Sequence, residues 1–357
     1  MKLKTIMSQA RVAIIIANFN GQKYLQDCLE SLKTTQYDAA FFDTILIDNN
    51  SADDTVQFVE QNYPEVKILP QKENFGFAGG NNIGMQWALE HNYDYVFLLN
   101  QDTVVTADWL QPLITLAESD QTIGAVQSKL RLWPAKEKLN TVGNKIHFLG
   151  FGYGQASGEI DTGQYDQIKE INYPSGAAVL LRVSMLKKIG LFDDQMFMYL
   201  EDLDLGWRIW LTGYRCVYQP ASMIYHKYEF DRSMKQVYYF ERNRLLCLYR
   251  NYHWLTLILL FPAWFLMEFG QLYYAWQHKY LGQKVSSYFY FSYPENWVKI
   301  NHARKLLQHN RKLSDRKMLK MFTGEILFQA INNPLLIYIA NPILNFYLKI
   351  LRLIVLW

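Results

Sequence analysis

Wholly apolar runs rich in β-branched residues alternate with segments of helical spacing through the first third of the chain. Residues 12–17 are apolar throughout and end at Asn18-Phe19-Asn20-Gly21, which reads as a buried strand closed by a turn. Tyr24, Cys28, Leu29 and Leu32 then recur at helical intervals. Residues 44–47 repeat the strand pattern and end at Asp48-Asn49-Asn50-Ser51; a helix carrying Val56, Phe58 and Val59 is predicted to start around Asp53. Residues 66–69 and 95–99 give a third and a fourth strand, with a helix predicted over 81–91 between them. Strands and helices alternating at this interval predict an α/β fold with a parallel sheet and crossover helices. In such sheets ligands bind beyond the carboxyl ends of the strands. The polar clusters 18–21, 48–51 and 100–102 all fall at those ends.

Beyond about residue 125 the loops lengthen. Helices are predicted over 183–189 and over 201–211, the second capped by Gly213. From Tyr238 onward the chain turns aromatic and basic. Residues 255–267 carry no charge, contain Pro262 and are closed by Glu268. A spanning helix needs about 20 apolar residues, so this run predicts a buried, re-entrant or interfacial helix and no clear membrane span. Residues 302–320 hold seven Lys/Arg against the single acid Asp315, and 334–357 is mostly apolar, with Asn341, Asn345, Lys349 and Arg352 at roughly helical intervals. Together these predict an in-plane amphipathic anchor beside a polybasic segment at a membrane surface. The alternative is a helical layer that packs on the core or forms a homodimer.

Composition supports that picture. Hydrophobic residues make up 50% and aromatic residues 16% of the 357, but charged residues only 19%, against about a quarter in ordinary soluble domains. The apolar excess must be covered by a partner or by lipid. A net charge of +3 gives no ground for a nucleic-acid partner. Cys28, Cys216 and Cys247 are odd in number and far apart, which argues against disulfides or a zinc site and for reduced thiols. Residues 1–11 are polar and the apolar run after them is too short for a signal peptide, so the expected location is the cytoplasmic face of the membrane.

Phosphate-binding signatures are weak. There is no GxxxxGK[ST], and Gly76-Phe77-Ala78-Gly79-Gly80 is not GxGxxG. The run 74–84 leads into a helix N-terminus, where a diphosphate is favoured; it reads equally as a tight helix-packing turn. Asp102 follows an apolar strand through Asn100-Gln101, where a carboxylate can hold Mg²⁺ or Mn²⁺ beside phosphate oxygens, or can simply close a turn. Asp48 can take a base or ribose hydrogen bond or cap the next helix. Glu201-Asp202-Leu203-Asp204 packs three carboxylates into a short stretch, which suits a general base as well as an acidic helix N-terminus. His226 is isolated, and any metal role rests on its surroundings.

The ordered set 17–21 (ANFNG), 47–51 (IDNNS), 74–84 (NFGFAGGNNIG), 98–102 (LLNQD), 176–182 (GAAVLLR), 190–193 (GLFD) and 198–208 (MYLEDLDLGWR) resembles the family 2 inverting glycosyltransferases of GT-A fold, most of all their rhamnosyltransferase-like branch. The resemblance covers about residues 12–230. It implies a GT-A domain over 1–235, with nucleotide-sugar binding in 12–125 and the acceptor and catalytic part in 126–235, followed by a helical membrane-associated region, 236–357. By the same resemblance Asn18, Asn20, Asp48 and Asn50 line the nucleotide pocket, and Asn74, Gly79 and Gly80 lie near the donor. Asn100, Gln101 and Arg208 complete the nucleotide-sugar contacts, Arg208 either approaching the diphosphate or pairing with the acidic cluster. Asp102 is the implied metal-binding acid of a DxD-type motif, Asn100 standing where the motif often has its first Asp, and His226 completes the shell of Mg²⁺ or Mn²⁺. Asp202 is the implied base, with Glu201 supporting it or touching the acceptor. The implied donor is dTDP-rhamnose and the implied acceptor a polyprenyl-diphosphate saccharide, as in O-antigen, capsule or cell-wall assembly. The alternatives are UDP-galactose, UDP-galactofuranose or UDP-N-acetylhexosamine as donor, or a membrane-associated scaffold without turnover.

Overall fold

The computed structural model describes residues 9–228, 236–326 and 334–357. In chain order it forms β1 (Val12–Asn18), α1 (Gln22–Lys33), β2 (Phe42–Asp48), α2 (Thr55–Asn62), β3 (Lys67–Pro70), α3 (Gly76–Glu90), β4 (Tyr95–Leu99), β5 (Thr103–Val105), α4 (Leu110–Ser119) and β6 (Ile123–Leu132). Short strands β7 (Leu139–Thr141), β8 (Asn144–Ile146), β9 (Gly152–Gly154) and β10 (Lys169–Glu170) follow, then β11 (Ala178–Arg182), α5 (Val183–Ile189), α6 (Glu201–Leu211) and β12 (Arg215–His226). Helices α7 (Val237–Asn251), α8 (Trp254–Gln277), α9 (Leu281–Phe289), α10 (Pro294–Asn310), α11 (Asp315–Met321) and α12 (Asn341–Ile354) make up the C-terminal part.

The main sheet runs β10-β12-β6-β11-β4-β1-β2-β3, with β5 and β7 added beside β12 and β6. β1, β2, β3 and β4 are mutually parallel, as the alternation of strands and helices predicts, and β12 is parallel to β6. β11 runs antiparallel between β4 and β6, and this reversal brings the chain back to the carboxyl end of β4. Strands covered on both faces read as unbroken apolar runs, and Val12–Ile16 of β1 are all fully buried. On one face of the sheet Ile14 and Phe97 pack under α1 and α4, Phe97 against Trp109 at the start of α4. On the other face a single core extends from Ile15 and Ile47 through Trp207, Leu246 and Leu260 to Leu348. The C-terminal helices therefore share the core of the sheet that carries the site.

Two elements differ from the sequence expectation. Helix α3 starts at Gly76, inside the glycine-rich run, and not at residue 81. Gly76 has φ +70°, a left-handed backbone open to glycine, and Asn74 Oδ1 accepts its N–H at 2.8 Å. Farther along the helix a Cβ on Gly84 would lie 2.5 Å from Ile15, and one on Gly80 would lie 2.4 Å from Asn49 Nδ2. These glycines let α3 lie directly on β1 and β2. Because Asn49 Nδ2 donates to Gly76 O at 3.1 Å, Gly80→Ala is expected to break that bond and cost about 1–3 kcal/mol, the usual range for overpacking. Urea unfolding of the purified variant measures it, and an unchanged midpoint would refute the close-packing role.

The second difference lies in the C-terminal part. α8 runs through Pro262 and past Glu268 for 24 residues, and a 19-residue helical stretch covers Leu336–Ile354. By length and composition both are able to cross a membrane, at mean hydropathies of 1.6 and 1.3. The sequence reading of no sufficient segment is corrected here. In the sequence Glu268 ends the apolar run, whereas in the fold this carboxylate turns inward and is satisfied by Arg244 and by Lys284 at 2.7 Å.

Candidate active site

Three loops at the carboxyl rim of the sheet are tied together by short polar side chains. Asn18, at the end of β1, is fully buried; its Nδ2 lies 3.3 Å from Asp48 Oδ1, 3.1 Å from Ser51 Oγ and 3.3 Å from Thr55 Oγ1. Asp48 Oδ2 accepts the Ser51 N–H at 3.1 Å, so Asp48 closes its own turn while receiving Asn18. Asn20 donates its backbone N–H to Ser51 Oγ and accepts the Ala52 N–H at 2.8 Å. Asn20 and Asn50 have φ of +50° and +61°, a left-handed backbone that asparagine tolerates better than most residues. At the end of β4, Gln101 Oε1 accepts the Phe19 N–H at 3.3 Å. A Cβ on Gly21 would fall 2.3 Å from both Asn18 Oδ1 and Gln101 Oε1. Gly21, read from sequence only as a turn residue, is what lets these loops meet.

Asp102 meets His226 because β12 pairs with β5, placing His226 opposite Thr103. Asp102 Oδ1 lies 3.3 Å from His226 Nε2, and the Asp102 carbonyl accepts the Lys227 N–H at 2.9 Å. His226 Nδ1 lies 3.0 Å from Asn140 Oδ1. With the ring proton on Nδ1, donated to Asn140, the Nε2 lone pair faces the carboxylate; a divalent cation fits between two such donors. Among the described residues no group of three or more His, Cys, Asp or Glu side chains forms a metal site. A cation here would take two protein ligands and complete its shell from phosphate and water oxygens. Asn140 carried no sequence signal, since a polar residue in a short strand has no periodicity to mark it.

Asp202 reaches the same rim from α6. Its Oδ2 accepts the Gly176 N–H at 3.1 Å and its Oδ1 the Leu203 N–H at 2.7 Å. The next residue in that turn, Ala177, accepts the Asn100 N–H at 3.0 Å. The turn 175–177 thus links Asp202 to the loop that carries Asp102. Burial pushes the Asp202 carboxyl from its usual 3.8 up to about 6, although the Gly176 and Leu203 amides hold it down. Glu201 beside it is buried, and desolvation, reinforced by the Asp202 charge, raises it well above the usual glutamate value. Both adjacent carboxyls are thus shifted upward by burial, Glu201 further by the Asp202 charge, a pairing of the kind that could place one carboxyl in a base's role.

Other expected contacts are corrected. Arg208 does not face the rim: it is buried, its Nε bonds Asp204 at 2.7 Å, and its two Nη atoms donate to the carbonyls of Ile189 and Leu191. Of the two readings of Arg208, pairing with the acidic cluster is the one observed. Asp204 is likewise buried, held ionised by Arg250 and Arg208 against its desolvation. Gly79 and Gly80 lie within α3, a Cβ on Gly79 meeting Phe75 at 2.6 Å and one on Gly80 meeting Asn49 at 2.4 Å, so both have a packing role. The N-terminal amides of α3, expected to face a diphosphate, are occupied at Gly76 by Asn74 and at Ala78 by the Phe197 carbonyl at 3.0 Å. Asn74 is thus a capping residue of that turn.

Residues 13–190 match Glycosyl transferase family 2. The match includes Asn18, Asp48 and Asp102 and ends before Asp202 and His226. The chain is 28% identical over 216 residues to a poly-beta-1,6-N-acetyl-D-glucosamine synthase of Staphylococcus aureus, covering 59% of this chain and 48% of that protein. It is 26% identical over 204 residues to the N-acetylglucosaminyl-diphospho-decaprenol L-rhamnosyltransferase of Mycobacterium tuberculosis, covering 51% and 65%. The chain spans about half the length of the first of these relatives. In fold it resembles GalNAc-T7, solved with UDP, GalNAc and Mn²⁺, at TM-score 0.55 and 15% identity over 66% of this chain and 48% of that one. It also resembles S. aureus TarS 1-349, at TM-score 0.51 and 13% identity over 96% and 88%. The mostly parallel sheet with its reversed β11 has the GT-A fold, and residues 13–190 of the chain match Glycosyl transferase family 2.

Proposed function

We propose that the protein transfers a sugar, with inversion, from a nucleoside-diphosphate donor to a lipid-linked saccharide at a membrane surface. The observation that carries this reading is the convergence of Asp202, raised to about 6, and the Asp102–His226 pair on the loops joined by the 175–177 turn. In the step proposed, an acceptor hydroxyl oxygen bonds to the anomeric carbon as its proton passes to Asp202. The bond from that carbon to the diphosphate oxygen breaks, and the nucleoside diphosphate leaves with the electron pair. Asn18, Asp48 and the turns at Asn20 and Asn50 form the nucleotide end of the cleft, with Asn100 and Gln101 beside the sugar. Mg²⁺ or Mn²⁺, held by Asp102 and His226, would supply charge to offset the departing diphosphate. Asn100 gives that site one negative charge fewer than a second aspartate would.

For the donor, dTDP-rhamnose is favoured by the branch resemblance and by the Mycobacterium tuberculosis relative, named as a rhamnosyltransferase acting on a decaprenol-linked sugar. The Staphylococcus aureus relative, named for an N-acetylglucosamine polymer, keeps UDP-N-acetylhexosamines as the second reading. Incubating the protein with dTDP-, UDP- and GDP-sugars and a polyprenyl-diphosphate N-acetylglucosamine, scored by product mass and anomeric configuration, tests both. A product one deoxyhexose heavier is expected. Retention of configuration, or no product from any donor, overturns the proposal, the latter in favour of a scaffold.

The membrane part rests on exposed side chains. Trp254, Ile258, Phe261, Phe265, Phe269 and Trp276 line one side of α8 at helical spacing, and Ile343, Phe346, Ile350 and Leu353 line α12. Of the seven basic residues in 302–320, Arg304 is turned inward to the Tyr252 carbonyl and Arg311 to Asp315. The other five, Lys305, Lys312, Arg316, Lys317 and Lys320, are exposed. Apolar side chains with basic neighbours suit an anionic leaflet such as the cytoplasmic one. Phe265→Glu with Phe346→Glu is expected to abolish co-sedimentation with phosphatidylglycerol vesicles and leave the protein folded. Retained vesicle binding refutes the surface. A wild-type protein that dimerises in sedimentation velocity and ignores vesicles assigns it to a second copy.

A further inference from the structure

The segment that delivers Asp202 to the rim follows an unusual path. Phe197, Tyr199 and Leu200 have φ of +61°, +67° and +66°, a left-handed backbone that residues with a Cβ adopt only when the surroundings enforce it. α6 begins directly after Leu200, so the direction of its first turn, with Glu201 and Asp202, follows from this path.

The enforcing groups come from α7, in the part of the chain read from sequence only as a membrane-associated extension. Asn243 is fully buried, and its Nδ2 lies 3.0 Å from Met196 O, 2.9 Å from Met198 O and 2.7 Å from Tyr199 O. Arg242 Nη2 donates to Gln195 O at 2.6 Å and Met196 O at 2.9 Å, and Arg242 Nε donates to Asn243 Oδ1 at 3.0 Å. Tyr199 stacks on Phe240 at 4.3 Å and Phe197 on Tyr239 at 5.2 Å. The Phe197 carbonyl, the one between those that Asn243 holds, accepts the Ala78 N–H of α3. One asparagine amide thus gathers three carbonyls of a turn that an ordinary backbone would straighten.

We infer that Asn243, supported by Arg242, is a positioning residue for transfer: it fixes the left-handed turn 197–200 and through it the place of Asp202 at the 175–177 turn. This rests on the reading of Asp202 as the base. Asn243 touches neither reacting atom, so its effect belongs in kcat and in the protonation of Asp202, not in donor binding. The titratable groups around Asp202 are Glu201 on its own helix, Tyr173 across from it and the buried Cys247 of α7, whose thiol lies 3.9 Å from the Leu200 carbonyl. The Asn243 amide carries no charge of its own. Its influence passes through the shape of the turn.

The test compares Asn243→Ala with Asn341→Ala, a matched control. Asn341 is also buried and binds backbone, its amide bridging the N–H and carbonyl of Ile326 outside the site. Turnover of dTDP-rhamnose, or of UDP-N-acetylglucosamine if that is the donor used, is followed against pH with polyprenyl-diphosphate N-acetylglucosamine. Asn243→Ala is expected to lower kcat about 10–100-fold, the scale on which supporting groups act. The donor KM should stay within about threefold and the acid limb should move below pH 6 as water reaches a loosened Asp202. Asn341→Ala should lose similar thermal stability and keep both kcat and the limb. If Asn243→Ala does not fold, Asn243→Ser, which retains one donor, is read instead and should show a kcat loss smaller than about tenfold, with the limb moved in the same direction. Equal kcat losses in the two alanine variants, or an unmoved limb, overturn the positioning role and leave Asp202 as base. Full transfer by Asp202→Asn overturns both readings, and so the two failures are told apart.

Discussion

Replacing Asp202 by Asn is expected to lower kcat by about 10²–10⁴-fold, the range that general-base catalysis supplies, with donor affinity nearly unchanged. In the wild type the rate should fall tenfold per pH unit below about 6, where Asp202 takes up its proton. The residual rate of Asp202→Asn should show no such limb. Stability moves the opposite way. A carboxyl whose pKa is raised by folding holds its proton more tightly in the native state, so its contribution is fully present below 3.8 and lost as pH rises through about 6. Glu201, shifted in the same direction, adds to that trend. Between pH 4 and pH 6 the protein should therefore become less stable to urea as the proposed transfer becomes faster. A pH–rate profile and urea midpoints over that interval check both halves. Full activity of Asp202→Asn, or an acid limb near pH 4, would remove Asp202 from the mechanism.

Asp102→Ala should cost about 10²–10³ in kcat/KM, the rate equivalent of the several kcal/mol that a bound cation contributes to a developing charge. Calorimetry with UDP or dTDP in the presence and absence of Mn²⁺ should give a metal-dependent gain in affinity for wild type and none for the variant. Asn100→Asp restores the second charge and is expected to lower the Mn²⁺ concentration needed for half-maximal rate. If chelation leaves wild-type turnover intact, the cation has no part in the reaction and the Asp102–His226 pair is a structural contact.

The strands were legible because buried parallel strands leave an unbroken apolar run, as residues 12–17 and 95–99 do. Their polar ends marked the rim, and the rim holds Asn18, Asp48 and Asp102 where those runs stop. Partner choice was not legible. Whether Arg208 meets a diphosphate or Asp204 depends on which residues lie above α6, and those come from the loop at Ile189 and Leu191. The glycines of 76–80 read from sequence equally as a ligand cradle and as a packing surface, and the packing partner, Asn49 against Gly80, comes from a loop about thirty residues earlier. Asn243 left no signal, because an asparagine that binds carbonyls more than forty residues away has no periodicity to betray it. Pro262 and Glu268 misled for the opposite reason: each is a local stop signal, overridden by tertiary contacts.

The one charge of α8, Glu268, and the inward hydroxyl of Thr256 bear on how the helix could meet a bilayer. Glu268 is bound to Arg244 and Lys284, the Tyr288 hydroxyl joins the same carboxylate, and near the start of the helix Thr256 bonds Asp315 and the Trp357 indole. Standing this helix upright across the hydrocarbon would tear those partners apart and carry an unpaired carboxylate into oil. On the membrane reading proposed above, α8 would instead lie along the surface, its exposed flank of Ile258, Phe265 and Phe269 toward acyl chains and its other flank fastened to the protein.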